Sequence, residues 1–151
     1  MFKTLTTHRE EQPMASSDLP PSVLSHVSLG TNDYSRAKAF YDAVLATLQI
    51  RCVMDFDGGA GYGRKFPEFW IQSPLDGGRA NAGNGVHIAF LANTINEVNA
   101  FHAKALELGG KDDGAPGYRP EYTPEYYAAF VRDLDGNKIE AMLMVKEGSK
   151  G

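Results

Sequence analysis

Residues 135–144 read DGNKIEAMLM. A Gly-Asn pair supplies a turn, and the apolar run behind it has the composition of a strand. Glu140 interrupts that run where an unpaired carboxylate is costly to bury. A partner for this carboxylate has to come from elsewhere in the chain.

Working backwards, YYAAFVRD (126–133) reads as the preceding strand, and another strand falls near 112–118. Upstream of these, GVHIAFL (85–91) is a strand, followed by a helix that starts at Thr94 with Glu97 in capping-box spacing. Val98, Phe101, Ala105 and Leu108 form its apolar stripe, and Gly109-Gly110 ends it. The first half of the chain repeats this order. VLSHVSL (23–29) is a strand, and Asn32 or Asp33 caps a helix over about 33–48, with Ala37, Phe40, Tyr41, Val44, Leu45 and Leu48 at helical spacing. Strands follow near 50–56, 61–66 and in EFWIQSP (68–74), before a loop rich in Gly and Asn at 76–85.

An internal duplication should superimpose residues as well as elements. A shift of 61 lays His26 on His87, Val27 on Ile88 and Leu29 on Phe90, and a shift of 68 lays Ile71-Gln72 on Ile139-Glu140. Each half is therefore a βαβββ unit. The expected organisation is an N-terminal tail (1–21), one domain (22–147) made of modules 22–75 and 85–147, and a short C-terminal tail (148–151). The expected fold class is α+β, with tandem βαβββ modules forming a curved mixed sheet around a cleft.

The repeat matches four polar residues: His26 with His87 on the first strands, and Gln72 with Glu140 on the last. Strand parity puts Val27 and Leu29, or Val86, Ile88 and Phe90, on the opposite face, suited to helices. The histidine faces also carry the small residues Ser28 and Ala89, as a cavity over the sheet requires. A lone strand histidine is more often a hydrogen-bonded core residue, and a glutamate near a strand start is often solvated. Matched placement of four such residues favours convergence instead. Two imidazoles, a carboxylate and an amide oxygen suit a divalent transition metal (Zn, Ni, Fe or Mn), with positions left for substrate.

Composition bounds the remaining possibilities. At 151 residues the chain is long enough to bury a sizeable core, and a net charge of −4 offers no general attraction to nucleic acid or to an anionic membrane. Cys52 is the only cysteine, which excludes an intrachain disulfide and a thiolate metal cluster and fits a cytoplasmic setting. No run reaches the length of a membrane span, and the N-terminus lacks the apolar core of a secretory signal. The expected partner is a small molecule, with no nucleic acid or membrane.

Two βαβββ halves with a His on each first strand, and GNKIEA closing the second, resemble the vicinal oxygen chelate superfamily over about residues 23–146. That superfamily includes glyoxalase I, extradiol dioxygenases, and fosfomycin and bleomycin resistance proteins. The family ending DPDGN is here DLDGN, with Leu134 in place of Pro. The resemblance implies paired modules around a cleft and a divalent metal chelated by substrate oxygens, with sites often completed across a dimer.

Within the family, glyoxalase I carries Glu where this chain has Gln72, and its glutathione anchors fall on Gly30, Asp76 and Gly83, none suited to anchoring. A typical glutathione-dependent lyase is therefore not expected. His26, His87 and Glu140 match the iron triad of the dioxygenases by position, but His8, in the tail, and His102, on the second helix, are poorly placed to serve as the acid or base histidine those enzymes normally carry. The bleomycin-resistance branch sequesters a ligand without metal, and Trp70, Tyr126 and Tyr127 would suit a flat organic molecule in the cleft. The expected function is metal-assisted chemistry on a small oxygenated substrate, of lyase, isomerase or dioxygenase type, with Glu140 as ligand or general base. The alternative is metal-free binding. YGRK (62–65) reads either as solvated cations or as a substrate anchor.

Overall fold

The computed structural model describes residues 22–145. The two expected tails lie outside the described residues.

Ten elements alternate as the duplication requires. The first module comprises β1 (Val27–Gly30), α1 (Tyr34–Ala46), β2 (Arg51–Phe56), β3 (Gly59–Gly63) and β4 (Phe69–Gln72). The second comprises β5 (His87–Leu91), α2 (Ile95–Glu107), β6 (Lys111–Tyr118), β7 (Tyr126–Arg132) and β8 (Lys138–Met144). Each module has its own four-stranded mixed sheet, ordered β1-β4-β3-β2 and β5-β8-β7-β6. Only the first and last strands of a module run parallel.

The helix boundaries follow from side-chain chemistry. Asp33 accepts from the Arg36 amide at 3.1 Å, and Thr94 from the Glu97 amide at 3.1 Å, each pairing a donor that the first helical turn leaves orphaned. Glu97 in turn accepts from the Asn93 amide, and Gly109 turns the chain out of α2 at φ +96°. Two strands differ from expectation. β1 starts at Val27, leaving His26 just ahead of it, and β3 covers 59–63 rather than 61–66.

The ladders correct the second offset of the repeat. β1 pairs with β4 as Ser28↔Trp70 and Gly30↔Gln72, while β5 pairs with β8 as His87↔Lys138 and Ala89↔Glu140. Laying β1 on β5 by 61 therefore lays β4 on β8 by 70, so that Trp70 is the counterpart of Glu140 and Gln72 that of Met142. The closing hydrogen bonds agree: Thr31 N donates to Gln72 O at 3.0 Å, and Ala92 N to Met142 O at 2.8 Å. The 68-residue match rested on the likeness of Ile-Gln to Ile-Glu. Two residues is one full pleat period, so the face is preserved while the position moves along the strand by roughly 7 Å.

One core serves both modules. α1 contributes Phe40, Tyr41, Val44 and Leu45, α2 contributes Val98, Phe101 and Ala105, and the sheets add Phe69, Ile71, Phe90, Val131 and Ile139. The Phe69 and Phe90 rings meet edge to face at 5.0 Å, joining the two halves. Full burial of each large side chain contributes about 1.5–3 kcal/mol. The modules thus associate through their helix-bearing faces.

The DLDGN turn reinforces this junction. The Asp133 carboxylate is buried and accepts from Tyr41 Oη (2.6 Å), the Asp135 and Asn137 amides (2.9 and 2.8 Å) and Asn137 Nδ2 (2.9 Å). Asp135 accepts from Thr31 Oγ1 at 2.7 Å and from the Asn32 amide at 2.9 Å in the first module. Burial first, then the Asp133 charge, pushes the Tyr41 phenol well above its ordinary value, so this hydroxyl stays a donor. The second module's terminal turn is therefore also the latch to the first.

Candidate functional site

The faces turned away from the helices carry the candidate chemistry. On the second module that face presents His87 and Ala89 from β5, Glu140 and Lys138 from β8, and Tyr126 and Phe130 from β7, because directly paired residues share a face. Phe130 stands opposite Glu140 in the β7–β8 ladder.

Glu140 is the centre of this surface. Its side chain is 1% exposed, against 42% for His87 above it. His87 Nε2 lies 2.5 Å from Oε2, and Tyr126 Oη donates to Oε1 at 2.6 Å. Both carboxylate oxygens thus have partners, which is the condition for burying the group. Desolvation, followed by the bond to Glu140, raises the Tyr126 phenol far above its usual range, so Tyr126 remains a donor at neutral pH. The result is a buried carboxylate fixed in orientation, with an imidazole between it and solvent.

Cations border the same surface. Arg119 Cζ lies 5.4 Å from the Phe130 ring centroid and Lys138 Nζ 5.0 Å from it, while the His87 ring is 6.0 Å from Phe130. Neither cation stands among the residues expected from sequence. Lys138 was legible by parity with Glu140, whereas Arg119 follows a bulged strand where parity lapses.

The corresponding face of the first module is aromatic. Trp70 takes the place of Glu140, and its ring lies 5.7 Å from that of Phe56. β3 offers Gly59 and Gly61 beneath them: a Cβ there would fall 2.5 Å from the Phe56 ring and 2.8 Å from the Trp70 indole. The glycines let both rings lie close on the sheet. Gln72 shares the face, opposite Gly59 and Gly30.

The chain brings together His87, Glu140 and Tyr126 but not the other predicted residues. His26 is exposed, its Nδ1 3.1 Å from Ser25 Oγ, and it borders a cavity of about 350 Å³ along β5 that His87 also lines. A second cavity, of about 340 Å³, lies at the module junction around Asn32, Arg36, Arg79 and Asp135. Neither cavity includes Glu140. Tyr127 points to the helix side, packs on the core and donates to Asn99 of α2 at 2.8 Å. Arg64 donates to the carbonyls of Leu48 (3.0 Å) and Leu91 (2.8 Å), tying the modules together, while Lys65 is exposed.

Among the described residues no three His, Cys, Asp or Glu side chains gather as a metal-holding group within one chain. His26, His87 and Glu140 have the donor chemistry of a three-donor metal centre, but within one chain only His87 and Glu140 meet. A four-donor centre does not fit, since Trp70 has no ligand atom to offer and Gln72 falls at the Met142 position.

No helix among the described residues is long and apolar enough to cross a membrane. No protein of curated function matches the chain. Among solved structures, a glyoxalase/bleomycin resistance protein from Albidiferax ferrireducens T118 is 38% identical, with 80% of this chain and 98% of that one covered and a TM-score of 0.73. A glyoxalase/bleomycin resistance protein/dioxygenase family enzyme from Burkholderia phytofirmans PsJN (18% identity, 80% and 98% covered, TM-score 0.63) shares the fold. So does a lactoylglutathione lyase from Agrobacterium tumefaciens (23%, 82% and 95%, 0.56). The family model of the Glyoxalase/Bleomycin resistance protein/Dioxygenase superfamily matches residues 23–141. With its two βαβββ modules, the matched span and the 38% identical neighbour, the chain belongs to that superfamily.

Proposed function

We propose that this chain is a divalent-metal-dependent enzyme acting on a small oxygenated substrate, with its site shared between two copies. The observation that carries the reading is the buried Glu140 carboxylate held against His87 on an open sheet face. His87 and Glu140 of one copy and His26 of another would hold the metal. β1 and β5 are edge strands of their sheets, and Met54, Phe56, Leu91 and Met144 are exposed apolar groups available for a partner. When bound, the cation polarises substrate oxygens and stabilises oxyanion or enolate charge.

The protein's own residues prepare the rest. Tyr126 and His87 fix the carboxylate so that it need not reorient when substrate arrives. His87, the exposed member of the pair, is the group a substrate meets first. The opposing aromatic face, with Trp70 and Phe56, supplies an apolar wall that limits water.

The test is metal content of protein purified without chelators, alone and as mixed variants. His26→Ala and Glu140→Ala should each lose metal, and a refolded mixture should regain about half an equivalent per heterodimer chain, since one site in the mixed dimer is intact. Sites built within one chain would regain none. Wild type that stays empty after loading with Zn, Ni, Fe or Mn would sink the metalloenzyme reading. The second reading is metal-free binding of a small organic molecule. Trp70 in the place of a fourth ligand and the closed His87–Glu140–Tyr126 network favour it.

A further inference from the structure

We infer that Arg119 and Lys138, both set against the Phe130 ring beside His87 and Glu140, form an anion-recognition subsite for a carboxylate or phosphate group on the ligand. The inference deepens the proposed function and rests on the second module's open face being the site.

Phe130 is the organising element. It is paired with Glu140 in the ladder, and Lys138 is paired with His87, so these residues share one face. A Cβ on Gly114 would lie 2.8 Å from the Phe130 ring, so the glycine beneath lets the ring settle onto β6. Two cations then sit 5.0 and 5.4 Å from its centroid. Such stacking is favourable for each cation but concentrates positive charge.

The neutralising groups are too few. Asp113 Oδ2 is shared between Arg132 Nε (2.8 Å) and Lys138 Nζ (3.4 Å). The Arg119 guanidinium makes its hydrogen bonds to the carbonyls of Ala115 (2.6 Å) and Tyr118 (3.3 Å), and no salt bridge joins it to a carboxylate among the described residues. Backbone carbonyls orient the guanidinium without cancelling its charge. Glu140 is the other acid on this face, and both its oxygens are taken by His87 and Tyr126. A chain with net charge −4 thus keeps a half-buried positive cluster beside its buried carboxylate. An oxyanion drawn to these cations beside the Phe130 ring would complete the balance and place the remainder of the ligand toward His87.

The experiment is an NMR titration of the full chain with inorganic phosphate and, separately, with benzoate, following the backbone amides of Arg119, Phe130 and Lys138. Saturable shifts at these amides with either anion are expected, phosphate alone marking a phosphoryl subsite and benzoate alone a carboxylate one. Arg119→Gln and Lys138→Gln should each weaken binding about tenfold, and Arg51→Gln, a cation on the other module, should not. Asp113→Asn, which frees Lys138 from its competing carboxylate, should tighten binding about threefold. This gain keeps the test decisive should a loss variant unfold. Absence of saturable shifts with both anions at roughly 10 mM, or equal affinity in wild type, Arg119→Gln and Lys138→Gln, overturns the subsite. Anion binding that persists in protein unable to take up metal would leave the subsite standing while the metal reading fell.

Discussion

The two modules share a backbone plan and differ in the face each turns away from the helices. Both bury the same helix-side pattern, Leu29, Phe69 and Ile71 in one and Phe90, Ile139 and Ala141 in the other. On the opposite faces Trp70 stands where the second module has Glu140, and Ser28 where it has Ala89. The first module lays aromatic rings over glycines, while the second buries a carboxylate under an imidazole and sets two cations against the neighbouring Phe130 ring. A face packed in a core tolerates little change in shape. A face turned away from the core is free to diverge, and the contrast falls on those faces.

The largest expected effect lies where the modules are latched. Asp133→Ala should destabilise the chain by about 3 kcal/mol, because it leaves buried donors from Tyr41 and Asn137 without an acceptor. Urea unfolding followed by circular dichroism measures this, and a loss near zero would mean that the shared core alone holds the junction. The glycine floor comes next. Gly61→Ala should cost about 2 kcal/mol, since the new Cβ would fall 2.7 Å from Pro67 Cβ and 2.8 Å from the indole. Trp70 is the only tryptophan, so a shifted emission maximum should report the displaced ring.

The corrected register supplies a sharper contrast. If Trp70 is the counterpart of Glu140, Trp70→Glu should raise the affinity of the protein for divalent metal about tenfold by adding a fourth ligand, whereas Gln72→Glu should not. Calorimetric metal titration separates the two, and the reverse order would restore the 68-residue alignment. The smallest effects come from neighbouring tyrosines on opposite faces. Tyr127→Phe removes a bond to Asn99 and should cost at most about 1 kcal/mol, leaving the Glu140 site unchanged. Tyr126→Phe should instead alter the alkaline limb of stability. The Tyr126 phenol is raised in the folded protein, so the folded state holds its proton more tightly than the unfolded chain. That contribution is whole below the unfolded value near 10.0 and is lost as pH rises above it. Unfolding midpoints between about pH 9 and 11 should therefore fall less steeply in Tyr126→Phe than in wild type.

Much of the architecture was legible in the chain itself. Apolar periodicities of 3.6 and 2, helix caps at Asn32 or Asp33 and at Thr94, and the restart after the glycine-rich loop identified two βαβββ units. Local chemistry controls such features, and the chain states it locally. Parity also set His26 and His87 opposite the apolar residues that face the helices, because alternation along a strand is independent of what the strand pairs with.

Tertiary structure decided what periodicity leaves open. The parallel ladders set the register between strands distant in sequence, moving the partner of Glu140 from Gln72 to Trp70. Tyr126 and Tyr127 are adjacent and chemically alike, and only the phase of β7 against β8 turned one to Glu140 and the other to α2. Arg119 reached Phe130 from a segment where bulges break the alternation. The sequence by itself determined the repeated unit, its helix faces and the presence of a carboxylate needing a partner. Which imidazole and phenol hold that carboxylate depended on hydrogen-bond register between distant segments, since a shift of two residues preserves every local preference and changes every neighbour.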